Sequence, residues 1–385
     1  MRLSLLSSVT VAYVIVMLAT SCGAFSSYAS RRRLSVLCVR MSLPNSNSYE
    51  FLDCGGYKRL ERFGNLHVIR SCPSASWSVG SVALWAGVST ISYEGTSGKV
   101  GQWTPSHIPS NWRVAFDIGD DDGPEIAFSL AMSDQGQVGV FPEQLQNWKW
   151  IFRVLHNGST SSVARKVLNG FAYTGGSTLA ALSAGNVQVT HLDAAKSSVA
   201  LAKSNAAGLD VSVSSTTRWI VDDCVTFCER EVRRGNVYDG LIFDPPAFGR
   251  GGNGKVWKLE KDFPLFAEEV LPHLLSDDPL FVVLSCHDVD WPPSRLAHCL
   301  RALLSTKAAS VGEERWLGGR GRLAGKKVAQ GVISSNNEHA QLQDLAACGG
   351  VIEYGPMILE PAEGDGDHRG RALPLGGFAR WRRTC

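Results

Sequence analysis

The sequence has ten cysteines among its 385 residues, yet no two are spaced C-x-x-C. Cys224 and Cys228 stand four apart on a predicted helix with no His/Cys pair spaced to complete a site, so neither a metal centre nor a disulfide framework is expected. Scattered thiols of this kind fit a reducing compartment. Charge is also scarce: Asp, Glu, Lys and Arg make up 19% of the chain and leave a net +2. That balance excludes overall basicity as a source of nucleic-acid affinity, so any RNA contact must rest on a local patch. Acids are missing altogether from residues 1–48, which hold Arg2, Arg31, Arg32, Arg33 and Arg40; with those five positive charges set aside, the body carries −3. What the chain does have is 44% hydrophobic and 9% aromatic residues, enough for packed cores and too much for a disordered polymer.

The acid-free stretch has two parts. Residues 1–24 read as a signal peptide: one arginine, an apolar run over 3–18, then small residues up to Ala24. Residues 25–48 begin with Phe25 and are rich in Ser and Arg, the composition of a transit peptide. The pair resembles the bipartite presequence of plastids of secondary endosymbiotic origin. A plastid location is therefore expected, with the secretory pathway or mitochondrion as alternatives, and no stable membrane association once the presequence is removed.

The remaining length allows two domains. Over 49–137, short alternating runs at 67–70, 112–116 and 125–130 are broken by Gly, Pro, Ser and Asp, which predicts a small β-rich domain. Its aromatics Trp77, Trp85, Trp103 and Trp112 are expected in a core, and its role is expected to be extension of a substrate groove. Residues 138–385 form the second domain. A helix over 141–156 is opened by Pro142 at its first turn and gathers Glu143, Gln144, Asn147 and Trp148 toward one side, suited to the lip of a cleft.

The stretch 166–193 organises this domain. It reads as a buried strand (167–170), a turn containing Tyr173, Thr174, Gly175 and Gly176, a helix (177–184) and a second strand (187–192) followed by Asp193. Glycine permits close approach to a ligand, and the helix N-terminus offers unpaired N–H groups. Asp193 is placed to accept hydrogen bonds from ribose hydroxyls, which marks a nucleoside site. A second landmark, Asp244-Pro245-Pro246-Ala247-Phe248, follows the apolar strand 240–243 at the reactive edge of a parallel sheet. Its prolines stiffen the loop and leave carbonyls free of strand pairing, while Phe248 can stack on a flat ring. Further helices (194–206, 224–234, 259–275) alternate with strands (218–221, 280–285), ending in a hairpin of 351–359 and 371–381. The expected fold class is α/β, a Rossmann-like, doubly wound, mostly parallel sheet preceded by the β-rich domain. Residues 306–335 carry Lys307, Arg315, Arg320, Arg322, Lys326 and Lys327 among glycines and read as a basic loop, suited to phosphates or to solvent.

Several segments together carry a family resemblance: LERFG (60–64), VGVFPEQLQNW (138–148), LNGFAYTGGSTLAALSAG (168–185), THLDAAK (190–196), RWIVDD (218–223), FDPPAFGRG (243–251) and GRALPLGGFARW (370–381). The chain resembles class I S-adenosylmethionine-dependent methyltransferases of the large-subunit ribosomal RNA type, a group that includes cytosine-C5 enzymes. Gly170 departs from the pattern, which calls for a larger apolar residue there. The resemblance implies S-adenosylmethionine as cofactor and ribosomal RNA, of the large subunit, as partner. It implies that Phe141 and Gln144 contact the cofactor alongside Phe171, Tyr173, Thr174, Gly175, Gly176, Asp193 and Asp244. It also implies that Asp223 meets the adenine amino group, although either Asp222 or Asp223 can instead cap the following helix.

Methyl transfer from a sulfonium requires alignment and a nucleophilic acceptor. For an exocyclic amine, or a protein amide, Asp244 and a proline carbonyl of the loop (Pro245 or Pro246) can accept the N–H bonds while Phe248 stacks on the base. Carbon 5 of cytosine needs a thiolate added at C6 and a base to remove the C5 proton. Cys286, which ends the strand beside the Asp244 loop, is the expected nucleophile, and His287 can lower its pKa or serve as the base. The expected activity is C5 methylation of a ribosomal RNA cytosine. Transfer to an exocyclic amine or protein amide is the alternative, and a non-catalytic RNA-binding or ribosome-assembly module is a third reading.

Overall fold

The computed structural model describes residues 47–384 except 87–89, 96–100, 107–110, 120–122, 159–162, 210–216, 251–255, 312–341, 347–348 and 362–370. The presequence readings and Arg315, Arg320, Arg322, Lys326 and Lys327 lie outside the described residues.

Alternating sequence in the first domain produces strands β1 (Tyr49–Gly55), β2 (Lys58–Phe63) and β3 (Leu66–Ser71). A short helix α1 (Val82–Ala86) leads to β4 (Thr90–Glu94) and β5 (Gln102–Thr104), which complete a five-stranded sheet in the order β1-β2-β3-β4-β5. A separate hairpin follows, β6 (Arg113–Asp117) with β7 (Glu125–Ser129). Trp103 and Trp112 are buried as expected, while Trp77 and Trp85 are half-buried and bind the Cys54 carbonyl and the Asp53 carboxylate through their indole N–H groups.

The β6–β7 hairpin does not stay with the first domain. Phe116 and Phe128 pack on Trp148, with ring centroids 5.4 Å apart in each case, in a core that also takes in the catalytic-domain helices. Pro142 opens a 3-10 turn (Pro142–Gln144) that runs directly into α2 (Leu145–Asn157).

The second sheet has eight strands. Its members are β8 (Arg165–Gly170), β9 (Val187–Asp193), β10 (Thr217–Val221), β11 (Gly240–Phe243), β14 (Phe281–Cys286), β15 (Leu342–Ala346), β16 (Gly350–Leu359) and β17 (Leu373–Arg383), and the short pair β12 (Phe248–Arg250) and β13 (Val256–Lys258) stands outside it. The order is β10-β9-β8-β11-β14-β17-β16-β15; the first five are parallel, and β17, β16 and β15 add antiparallel. Helices α3 (Gly176–Ser183), α4 (Lys196–Ala206), α5 (Cys224–Arg233), α6 (Leu259–Glu269) and α7 (Pro293–Val311) cover its faces. The strand order reverses between β8 and β11, and a crevice opens there at the carboxyl ends.

Each parallel strand feeds two cores by alternation. Val167, Val189, Ile242 and Val283 face the core built with α2 and α3, whereas Leu168, Leu241, Phe243, Val282 and Leu284 face the core with α5, α6 and α7. Gly170, where the family pattern calls for bulk, is explained by this packing: a Cβ there would overlap the Phe243 ring and lie 2.8 Å from Cys224 Sγ. The aromatic ring fills the space a side chain would take.

Two expectations are corrected. The helix expected over 259–275 stops at Glu269 and continues as a 3-10 turn (Leu271–Leu274), because Pro272 has no N–H for an α-helical bond. The stretch expected as a basic loop from residue 306 begins inside α7, where Lys307 is buried and donates to the Leu275 carbonyl at 2.7 Å. Lys307 closes a helix onto its neighbour and is unavailable to phosphates.

Gly170→Ala is expected to cost about 1–3 kcal/mol through overpacking, and Phe243→Leu in the same chain to recover part of that loss. Urea unfolding of the two single variants and the double variant measures it; strict additivity would show that the ring does not exclude the side chain.

Candidate active site

At the end of β8 the backbone turns through three left-handed residues, Phe171 (φ 55°), Tyr173 (φ 48°) and Gly175 (φ 95°). For the two non-glycine residues this costs on the order of 1–2 kcal/mol each, so the turn needs fixed partners. It has them. Tyr173 N donates to Asp193 Oδ2 at 2.8 Å, Ala172 N to the Leu192 carbonyl at 3.0 Å, and Thr174 Oγ1 to the Gly139 carbonyl at 2.6 Å. Gly176 lies so close to Trp148 that a Cβ would enter the indole ring. Glycine is required at both positions, at Gly175 for its φ and at Gly176 for the indole against it.

This turn lines a cleft together with Phe141, Gln144, Trp148, Asn169 and Asp244. Five of the expected cofactor residues, Phe171, Tyr173, Thr174, Gly175 and Gly176, are thus brought together with Phe141, Gln144 and Asp244 around one space. Asp193 lies beside the turn. Its oxygens accept Tyr173 N and Ala195 N, which leaves each oxygen a lone pair for a hydroxyl. Burial pushes its carboxyl pKa up against the two N–H bonds. Asp223 caps α5, accepting Thr226 N at 2.9 Å and Thr226 Oγ1 at 2.8 Å through Oδ1. It also borders a second cavity with Val225, Trp257 and Phe266, and does not line the cleft at the glycine turn. Its Oδ2 is not used for capping.

At the far end, Asp244 is held by three side chains. Gln144 Nε2 donates to Oδ2 at 2.8 Å, Ser285 Oγ donates to Oδ1 at 2.8 Å, and His287 Nε2 lies 3.1 Å from Oδ2. Gln144 is itself oriented by Asn147 Nδ2, 2.7 Å from its Oε1. His287 Nδ1 lies 3.3 Å from Glu143 Oε1. Burial would lower the His287 pKa, but the Asp244 and Glu143 carboxylates more than offset that and raise it to about 10. The imidazole is a cation at neutral pH.

Cys286 does not meet the requirement for a nucleophile. Alternation along β14 turns Ser285 into the cleft with Val283 and turns Cys286 into the opposite core with Leu284, Phe243 and Trp291. The thiol is 0% exposed, and burial pushes its pKa up to about 12. The neighbouring His287 cation is engaged by carboxylates and does not lower it. The loop carbonyls also differ from expectation: that of Pro246 accepts Trp257 Nε1 at 2.9 Å and that of Ala247 accepts Leu259 N at 3.0 Å. Phe248, by contrast, is 56% exposed and open to stacking, and Pro245 is buried behind it.

The residues missed from sequence are Ser285 and Asn169. Counting alternate positions from Val283 identifies Ser285 as the cleft-facing residue, a signal that the neighbouring cysteine obscured. Glu143 was expected at the cleft lip, but not its pairing with His287, which lies 144 positions away along the chain.

The chain is similar to known methyltransferases. Residues 115–288, a little under half the chain, match the family described as S-adenosylmethionine-dependent methyltransferase. The ribosomal RNA large subunit methyltransferase I of Aeromonas salmonicida is 34% identical over 87 residues, which are 22% of this chain and 21% of that protein. That of Tolumonas auensis is 31% identical over 124 residues, 32% of this chain and 30% of its own length. The chain thus matches less than a third of the length of these curated relatives. The crystal structure of the S-adenosylmethionine-dependent methyltransferase from Agrobacterium tumefaciens superposes with a TM-score of 0.67 at 26% identity, covering 88% of this chain and 91% of that one.

Asp193→Ala removes the carboxylate that holds the turn. It is expected to weaken S-adenosylmethionine binding about 10- to 100-fold, the effect of losing one or two charge-assisted hydrogen bonds. Titration calorimetry reads it directly, and unchanged affinity would remove Asp193 from the cofactor site.

Proposed function

We propose, on the premise that the chain is a class I S-adenosylmethionine-dependent methyltransferase, that it methylates a base of ribosomal RNA. The observation that carries this reading is the continuity of the glycine-walled cavity with Asp244. The turn residues would hold the cofactor, which would supply the methyl group in a cleft that also contains a carboxylate fixed by Gln144, Ser285 and His287. In this reading Phe141, Gln144 and the residues 171–176 bind the cofactor, Asp193 takes the ribose and the unused oxygen of Asp223 takes the adenine amine. Phe248 stacks on a base that has left its helix, since a paired base cannot enter the cleft.

The acceptor atom follows from what faces the cleft. An exocyclic amine needs an N–H acceptor and alignment, which Asp244 and Phe248 supply. Carbon 5 of cytosine needs a thiolate, and Cys286 faces the other core. The geometry therefore favours an exocyclic base amine. The C5 reading, which the resemblance supports, requires the Cys286 side chain to leave that core. Large-subunit RNA is the favoured substrate because the curated relatives carry that name, and the acid-free presequence favours plastid ribosomes.

The mature protein, from about Met41, is expected to transfer label from S-adenosylmethionine to plastid ribosomal RNA. Asp244→Ala is expected to lower kcat at least about 100-fold, and Cys286→Ala to retain transfer while losing some stability. Nucleoside analysis identifies the product. Label in 5-methylcytidine that vanishes with Cys286→Ala would restore the thiol mechanism, and cofactor binding without transfer would favour a non-catalytic RNA-binding role. A fluorescent reporter fused behind residues 1–48 is expected in the plastid; retention in the secretory pathway would contradict that location.

A further inference from the structure

His287 lies between two carboxylates contributed by elements far apart in sequence. Its Nε2 is 3.1 Å from Asp244 Oδ2 and its Nδ1 is 3.3 Å from Glu143 Oε1. An imidazole satisfies an acceptor on each nitrogen only when both nitrogens carry protons. The ring is held in place: Phe141 packs on it at a centroid distance of 4.5 Å, and the backbone at its Cα is pressed by Gly376, where a side chain would collide. Glu143 is 3% exposed and its Oε2 has no hydrogen-bond partner, so His287 is the cation bonded to it. Behind it, on β2, stands the field of the buried Arg59, which together with His287 keeps the carboxyl ionised despite burial. Cys286, adjacent in the chain, faces away.

The lone pairs of Asp244 can be counted. A carboxylate offers about four acceptor positions. Oδ2 takes Gln144 and His287, and Oδ1 takes Ser285. Among the described residues this leaves one position, on Oδ1. We propose that His287 is a positioning residue which, bridging Glu143 and Asp244, locks the Asp244 carboxylate so that Oδ1 accepts a single N–H from the methyl acceptor. The inference rests on the function proposed above and deepens it. Held by three donors, the carboxylate orients the acceptor amine through the position that remains on Oδ1. The methyl-bearing product's released proton leaves by another route, to water.

Two measurements test this in the full chain. The first follows the His287 ring by nuclear magnetic resonance, assigned with His287→Gln. Both nitrogens are expected to be protonated at pH 8 with titration near 10, and Glu143→Gln is expected to move the titration downward. The second is the pH profile of methyl transfer. His287→Gln is expected to lower kcat about tenfold or more, the scale of one charge-assisted contact, and to abolish the alkaline limb set by loss of the ring proton near 10. Its affinity for S-adenosylmethionine is expected to stay within about twofold, since the ring does not line the cofactor cavity. A neutral ring at pH 8, or a His287→Gln variant with wild-type kcat and alkaline limb, overturns the proposal. A doubly protonated ring in a wild-type protein that methylates no RNA supports the array and sinks the function proposed above.

Discussion

A parallel sheet covered on both faces leaves its strands only one place to meet a ligand. Along β8, β11 and β14 the apolar positions are committed to one of two cores, and the two cores alternate residue by residue. Chemistry is therefore confined to the last residue or two of each strand and the loop that follows. Phe171, Asp193, Asp223, Asp244, Ser285 and His287 all sit there, on five strands. The reversal of strand order between β8 and β11 separates the loops above those two strands enough to admit a cofactor between them.

The N-terminal sheet is linked to this crevice by charge. Arg70 and Arg59 both approach Glu61, at 2.8 Å and 3.3 Å, and all three side chains are buried. The Arg59 field acts on Glu143, which meets His287, which meets Asp244. Charges alternate in sign from the N-terminal sheet to the acceptor side of the cleft. Removing Glu61, on which both buried arginines converge, would leave two buried cations without that carboxylate, a cost of several kcal/mol. The two domains are therefore joined electrostatically as well as through the hydrophobic core they share.

Much of the fold was legible in the sequence because it depends on local signals. The glycine turn, Pro142 at a helix start and the apolar runs of β8, β11 and β14 each appear in a few consecutive residues. The cleft-lining turn from Phe171 to Gly176 was legible for the same reason. Legibility stopped where function depends on register or on distant partners. Cys286 and Ser285 are adjacent, and only the phase of β14 decides which enters the cleft. Gly170 looked anomalous because its substitute, the Phe243 ring, comes from the neighbouring strand. His287 was visible as a base but not as a bridge, because Glu143 and Asp244 reach it through folding alone.

The arrangement also bears on how little covalent chemistry the site needs. A sulfonium is a good leaving group, so the barrier that remains is largely alignment, and alignment is supplied by groups that cannot move. The Asp244 oxygens are fixed by three donors, those donors are fixed by Asn147, Glu143 and the edge of β14, and the turn opposite is fixed by Asp193. A thiol nucleophile would have required an exposed, ionised sulfur next to a free cation. Among the described residues, the imidazole at the mouth is shared by two carboxylates, and the sulfur beside it is buried in the opposite core. In the function proposed above, the electrostatics serve to hold the acceptor still, and that favours direct transfer to a nitrogen over a thiol mechanism.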